Sequence, residues 1–196
     1  MNIPRTVAAL SAMTALVAAS GAVAGERLHS EWPWIGKNAE AMEIRFGGAF
    51  YDTGPATRHD EDGFVVNGEV LLPSPALLSG IGSPRPYVGA DLALVEDGAE
   101  PVHVVYAGLN WQAHWSERFY TSASLGGSYN TADLSNPSPN HGGLGCNWLF
   151  HVGISAGFDI SERVSVEAYG NHFSNANQCF SNGGLESAGM RVGLRF

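Results

Sequence analysis

Positive charge is scarce in this chain: Lys and Arg total 10 against 19 Asp and Glu, a formal net charge of −9 at pH 7. That balance repels phosphate backbones, and no basic run occurs after the first residues, so a nucleic-acid partner is excluded. Cysteine is nearly absent as well. With only Cys146 and Cys179, no CxxC element and no paired histidines nearby, a metal site has little to build on, and none is expected. Beyond the N-terminus no apolar run approaches the roughly 20 residues that a membrane-spanning helix needs.

What is present begins with an export signal. "MNIPR" supplies a basic start, "TVAALSAMTALVAAS" an apolar stretch and "AVAG" a small-residue cleavage site after Ala24. Residues 1–24 therefore read as a signal peptide, and 196 − 24 = 172 residues remain, the length of one domain. Export permits a Cys146–Cys179 disulfide, although spacing alone leaves free thiols open.

The mature part alternates with period two. From Ala41, the residues Met42, Ile44, Phe46, Gly48 and Phe50 fall on one face and Glu43, Arg45, Gly47 and Ala49 on the other. In "VGISAGFDI" Val152, Ile154, Ala156, Phe158 and Ile160 share a face, and in the last segment Ala188, Met190, Val192, Leu194 and Phe196 do so. Charges keep to the second face each time. A soluble sandwich shows the same period, but it buries the oily face and wets the charges. Export, segments of about 9–11 residues and an aromatic terminus, Phe196, point instead to a membrane barrel. The closing alternating strand resembles the assembly signal of Gram-negative outer-membrane barrels.

Eight strands are predicted: Ala41 to Tyr51, Phe64 to Leu72, Pro86 to Val95, Val102 to His114, Phe119 to Tyr129, Leu149 to Ile160, Arg163 to Asn175 and Leu185 to Phe196. The fold class is thus all-β, an eight-stranded antiparallel transmembrane barrel over 41–196, preceded by a periplasmic segment over 25–40. An even strand number returns both ends to the periplasm. A lumen of this size is filled by side chains, so Glu43, Arg45, Glu69, Asp91, Glu167, Arg191 and Arg195 are expected to neutralise one another inside, with no pore. The tight "WSER" and "ISER" turns mark the periplasmic side. "TGPATRHDEDG", "NTADLSNPSPNHGGLGCN" and "ANQCFSNGG", rich in turn formers, mark the outside. The connection "PSPALLSGIGSPRP" is long for a periplasmic turn, and no sequence pattern accounts for it.

In "RVSVEAYGNHFSNA" the positions Val164, Val166, Ala168, Gly170, His172 and Ser174 continue the oily face, so histidine and serine point at the membrane. Glu186 keeps phase with Ala188 and Met190 and faces the same way. A polar cluster on the lipid face costs little at the interface, whereas a charge near the midplane costs about 2–4 kcal/mol, so the outer rim is the place for it. Acyl transfer needs a hydroxyl, a base and an acid to fix the imidazole, roles open to Ser174, His172 and Glu186. Donors for the developing oxyanion are available at Asn182, Asn175, Gly183 and Gly184. Asn171 and Asn177 read as loop hydrogen-bonding residues.

The run "EAYGNHFSNA" with Asn182, Glu186 and the ending "RVGLRF" closely resembles the lipid A 3-O-deacylase (PagL) family of eight-stranded outer-membrane barrels. The family's histidine-x-serine pair falls on His172 and Ser174, its acid on Glu186 and its asparagine on Asn182. The resemblance implies a serine esterase that removes the ester-linked 3-hydroxyacyl chain at position 3 of lipid A. It implies no cofactor, the outer membrane of a Gram-negative cell as location and lipopolysaccharide of the outer leaflet as partner, and it leaves a homodimer open. Two other readings stand beside it. Outer-membrane phospholipase A carries the same pair, but its third member is an asparagine, its barrel is longer and it uses calcium. A small non-enzymatic barrel for adhesion or membrane integrity would make no use of Ser174. The remaining histidines, His29, His59, His103, His114, His141 and His151, lack ligand spacing, and Trp32, Trp34, Trp111, Trp115 and Trp148 suit interfacial belts.

Overall fold

The computed structural model describes residues 33–53, 63–95, 100–134 and 143–196. The expected signal peptide, His29, Trp32, His59 and His141 lie outside the described residues. Among the described residues nine strands form: β1 (Trp34–Ile35), β2 (Glu43–Tyr51), β3 (Gly63–Leu71), β4 (Arg85–Val95), β5 (Val104–His114), β6 (Phe119–Asn130), β7 (Trp148–Asp159), β8 (Val164–Ser174) and β9 (Leu185–Arg195). From β2 to β9 each pairs antiparallel with the next. β9 returns to β2 through rungs running from Glu43↔Arg195 to Tyr51↔Ser187 and closes the barrel. Closure removes both sheet edges, so strand backbones are satisfied within the wall, as a bilayer requires. The predicted eight-stranded antiparallel barrel is the fold that forms.

Face assignment follows the period-two pattern. Along β2, Glu43, Arg45, Ala49 and Tyr51 are buried while Ile44, Phe46 and Phe50 are exposed. Outside, Phe64, Leu92, Leu94, Ile154, Phe158 and Met190 continue an apolar surface suited to lipid. Aromatic rings stand at both rims: Trp148, at the start of β7, meets Tyr129 edge-on at 5.0 Å, and Trp115 follows β5 at the opposite end.

Inside, ion pairs fill the half of the lumen near the C-terminus. Arg45 contacts Glu43 at 2.8 Å, Glu69 at 3.2 Å and Glu167 at 3.2 Å. Arg191 bridges Glu167 at 2.6 Å and Glu69 at 3.3 Å, while Arg195 joins Glu43 at 3.3 Å to Asp159 at 2.6 Å. Arg85 adds a bond to Glu43 at 2.9 Å, and His114 one to Asp159 at 3.2 Å. Asp91 departs from expectation. It makes no ion pair among the described residues and is held by neutral donors, Asn67 at 2.7 Å, Asn171 at 3.2 Å and Ser187 at 3.2 Å. It sits beyond the cation cluster because the arginines all lie in the other half of their strands.

The long β3–β4 connection also finds its reason. The β4–β5 ladder ends at Arg85↔Asn110, yet β5 continues to His114, and β1 takes up the vacant side through Trp34↔His114 and Ile35↔Ala113. The connection, containing a 3-10 helix at Ala76–Ile81, folds over this corner, where the Trp111 indole donates to the Ile81 carbonyl at 2.9 Å. Gly82, at φ 91, makes the reversal.

Candidate active site on the outer wall

β8 and β9 are joined by the 175–184 connection, at the end of the barrel opposite the chain terminus. Their register places His172 directly across from Glu186, and the side chains meet, His172 Nδ1 to Glu186 Oε1 at 2.8 Å. An ionised carboxylate only accepts, so Nδ1 carries the hydrogen and Nε2 is left with a free lone pair. The histidine side chain keeps 35% of its exposure and the glutamate 9%. The carboxylate is thus sheltered while the ring stays reachable. Ser174 lies two residues beyond His172 on the same face, roughly 7 Å away along the backbone. No hydrogen bond joins its hydroxyl to the imidazole among the described residues. Such contacts commonly tighten only when substrate binds.

Phe173, between the two, points inward and is 1% exposed. It stacks on His151 at 4.9 Å and meets Tyr106 at 5.7 Å. This inward anchor fixes the outward aim of both neighbours, because adjacent strand residues must face opposite ways.

Below the pair runs a groove of about 690 Å³. Its outward-facing lining includes Val152, Ile154, Ala156, Ala168, Gly170 and Ala188, with His172 and Glu186 at one end and Thr121 at the other. Small residues on β8 make the floor, and Ile154 on β7, paired with Gly170, makes a wall; at the Ala156↔Ala168 rung both side chains are small. From His172 to Ala168 the floor extends roughly 13 Å, four residues at strand rise. A slot with an apolar floor, the His172–Glu186 pair at one end and Thr121 at the other, accepts an alkyl chain with a polar group at one end.

The loop donors divide. Asn175 is 2% exposed, and its amide nitrogen donates to the Leu144 and Ser181 carbonyls, so it braces the loop. The Gly183 N–H is taken by the Gly143 carbonyl at 3.0 Å. Both groups are engaged in loop structure. Asn182 accepts from the Asn175 N–H at 3.0 Å, and its amide nitrogen points out toward Asn177 at 3.3 Å. Gly184 has φ 72, and a Cβ there would stand 3.6 Å from the His172 ring. Asn177 is the loop residue expected, but Asn171 is not. It projects into the lumen, where His151 and Asp91 hold it. A Cys146–Cys179 disulfide ties the 143–147 segment to this loop, with Cα atoms 6.2 Å apart.

The family profile for lipid A 3-O-deacylase (PagL) matches residues 24–195. The chain belongs to the lipid A 3-O-deacylase family. It is a deacylase of the outer membrane. Among solved structures, it is similar to that of the outer-membrane enzyme PagL, with a TM-score of 0.52 and 15% identity over 79% of this chain and 98% of that one. The N-terminal β-barrel domain of Pseudomonas aeruginosa OprF shares the barrel at a TM-score of 0.50 and 10% identity, covering 80% of this chain and 98% of that chain. At such identities the likeness is one of fold. No curated protein matches in sequence. For this lipid A deacylase the outward His172–Glu186 pair and the groove beneath it stand on the bilayer side of the wall, where a lipid substrate resides.

Proposed function

We propose that this lipid A 3-O-deacylase works as a serine esterase in which Ser174 is the nucleophile, His172 the base and Glu186 the group that orients it. The observation carrying the reading is the 2.8 Å His172–Glu186 contact on the lipid-facing side, beside a serine of the same face. The acyl chain lies in the groove and its ester sits at the rim. His172 Nε2 takes the Ser174 proton as Oγ attacks the ester carbonyl, and the imidazolium is stabilised by Glu186. Collapse of the tetrahedral intermediate breaks the bond to the sugar oxygen, which leaves with the proton from His172. Water, deprotonated by the same nitrogen, then attacks the acyl-serine and releases the 3-hydroxy fatty acid. With Asn175 and Gly183 committed to the loop, the Asn182 side chain and the Gly184 N–H are the donors assigned to the oxyanion.

The test is lipid A mass spectrometry in a Gram-negative host expressing this chain or its Ser174→Ala variant. Loss of one 3-hydroxyacyl group is expected with the unmutated chain alone. Equal loss with the variant would remove Ser174 from the mechanism.

A further inference from the structure

The lumen behind the site holds a polar cluster that the reaction does not use. Asn171 precedes His172 and Ser187 follows Glu186, and these two form the adjacent β8–β9 rung. Both side chains turn inward, and both donate to one oxygen, Asp91 Oδ2, at 3.2 Å each. Asp91 belongs to β4, which in the strand order β4-β3-β2-β9-β8 lies diametrically opposite β8. Its carboxylate therefore spans the lumen. The second oxygen accepts from Asn67 at 2.7 Å, whose amide also reaches Tyr106 at 2.6 Å. Asn171 is steadied further by His151 Nε2 at 3.1 Å, and His151 by the Tyr87 hydroxyl at 2.6 Å. Asp91, Asn171 and Ser187 are 4%, 5% and 4% exposed.

We propose that Asp91 is a positioning residue acting through the barrel wall: by clamping the Asn171–Ser187 rung from inside, it sets the spacing of the His172–Glu186 rung outside. The two rungs share backbone, so a shift in one is passed to the next, and displacements of about 1 Å cost catalytic geometry heavily. The chemistry requires a carboxylate. Three donors converge on residue 91, and a carboxylate only accepts, whereas an amide would turn an NH2 group against at least one of them. This inference rests on the serine esterase reading above.

The test uses the full chain folded in detergent micelles, with lipid A as substrate and kcat and KM measured separately. Asp91→Asn should lower kcat by about tenfold or more with KM within about twofold, because the groove is untouched. Ser187→Ala, which removes one arm of the clamp, should give a smaller loss in the same sense. In proton NMR, the downfield His172 Nδ1–H resonance of the unmutated chain should weaken in both variants. An unchanged resonance and kcat, or a kcat loss matched by the fraction that fails to show the heat-modifiable gel shift of a folded barrel, would overturn the proposal. The resonance reports on the clamp whatever Ser174 does. Activity retained by Ser174→Ala would therefore overturn the esterase reading without deciding this one.

Discussion

At the scale of single residues, the groove depends on one missing side chain. Gly170 lies on its floor one outward step below His172, and a Cβ there would find its nearest neighbours, Ser187 O and Ile154 Cγ1, at 3.6 and 4.0 Å. A small substituent fits without strain, whereas a large one has to extend along the slot. Gly170→Phe is accordingly expected to leave the barrel folded, as checked by the gel shift, while raising KM for lipid A by about tenfold through loss of chain contacts. Sequence parity already placed His172, Ser174 and Glu186 outward together. It did not reveal that Asn171, read as a loop residue, faces the lumen. The same alternation requires it, but an Asn beside a turn-rich segment also carries the signature of a loop. Nor could spacing show that Asn175 and Gly183 are consumed within the loop, because their acceptors, Leu144 and Gly143, lie more than thirty residues upstream.

At the scale of elements, the 175–184 connection owes its shape to a second loop. The disulfide, the Asn175 bond to Leu144 and the Gly183 bond to Gly143 all run between the two. Gly145, at φ 73, is needed at their contact, since a Cβ there would fall 2.0 Å from the Ser181 carbonyl. Replacing both cysteines with serine should lower the unfolding free energy by about 2–4 kcal/mol, as a bridge closing a chain segment of this size commonly contributes. Activity should fall alongside, because the loop carrying Asn182 and Gly184 loses its tether. Thermal melts and turnover with and without reductant check both effects. The strands themselves were legible to within two residues at either end, since each repeats its alternation over nine or more positions. β1 was not, because two residues cannot display a period, and the connection that folds beside it answers to a tertiary vacancy on β5.

At the scale of the whole molecule, folding gathers charge at the centre and oil at the surface. Arg45 is fully buried and meets three carboxylates. Arg45→Leu leaves Glu43, Glu69 and Glu167 short of a cation, and breaking a buried pair in this way costs about 3–5 kcal/mol. Urea unfolding in lipid vesicles should show that loss, while kcat of the molecules still folded should hold, because the arginine cluster lies remote from β8's outer end. Strand parity foretold a filled lumen and most of its charges, but not Arg85, His114 and Asp159, which join the network at the ends of their strands, nor the setting of Asp91. Asp91 was grouped with the ion pairs because sign and inward parity are all a strand pattern reports, whereas depth along the barrel decides which partners a side chain meets.

The His172–Glu186 pair stands on the barrel's outer skin, and chemistry at that place relieves the enzyme of a transport problem. A deacylase with its machinery in the lumen would have to draw a glycolipid out of its leaflet, admit it through a gate and return the pieces. Here encounter is a matter of sideways diffusion in two dimensions, and the severed fatty acid is released into the oil that surrounded it before the cut. The barrel can accordingly stay rigid throughout the cycle, its interior serving as a brace rather than a passage.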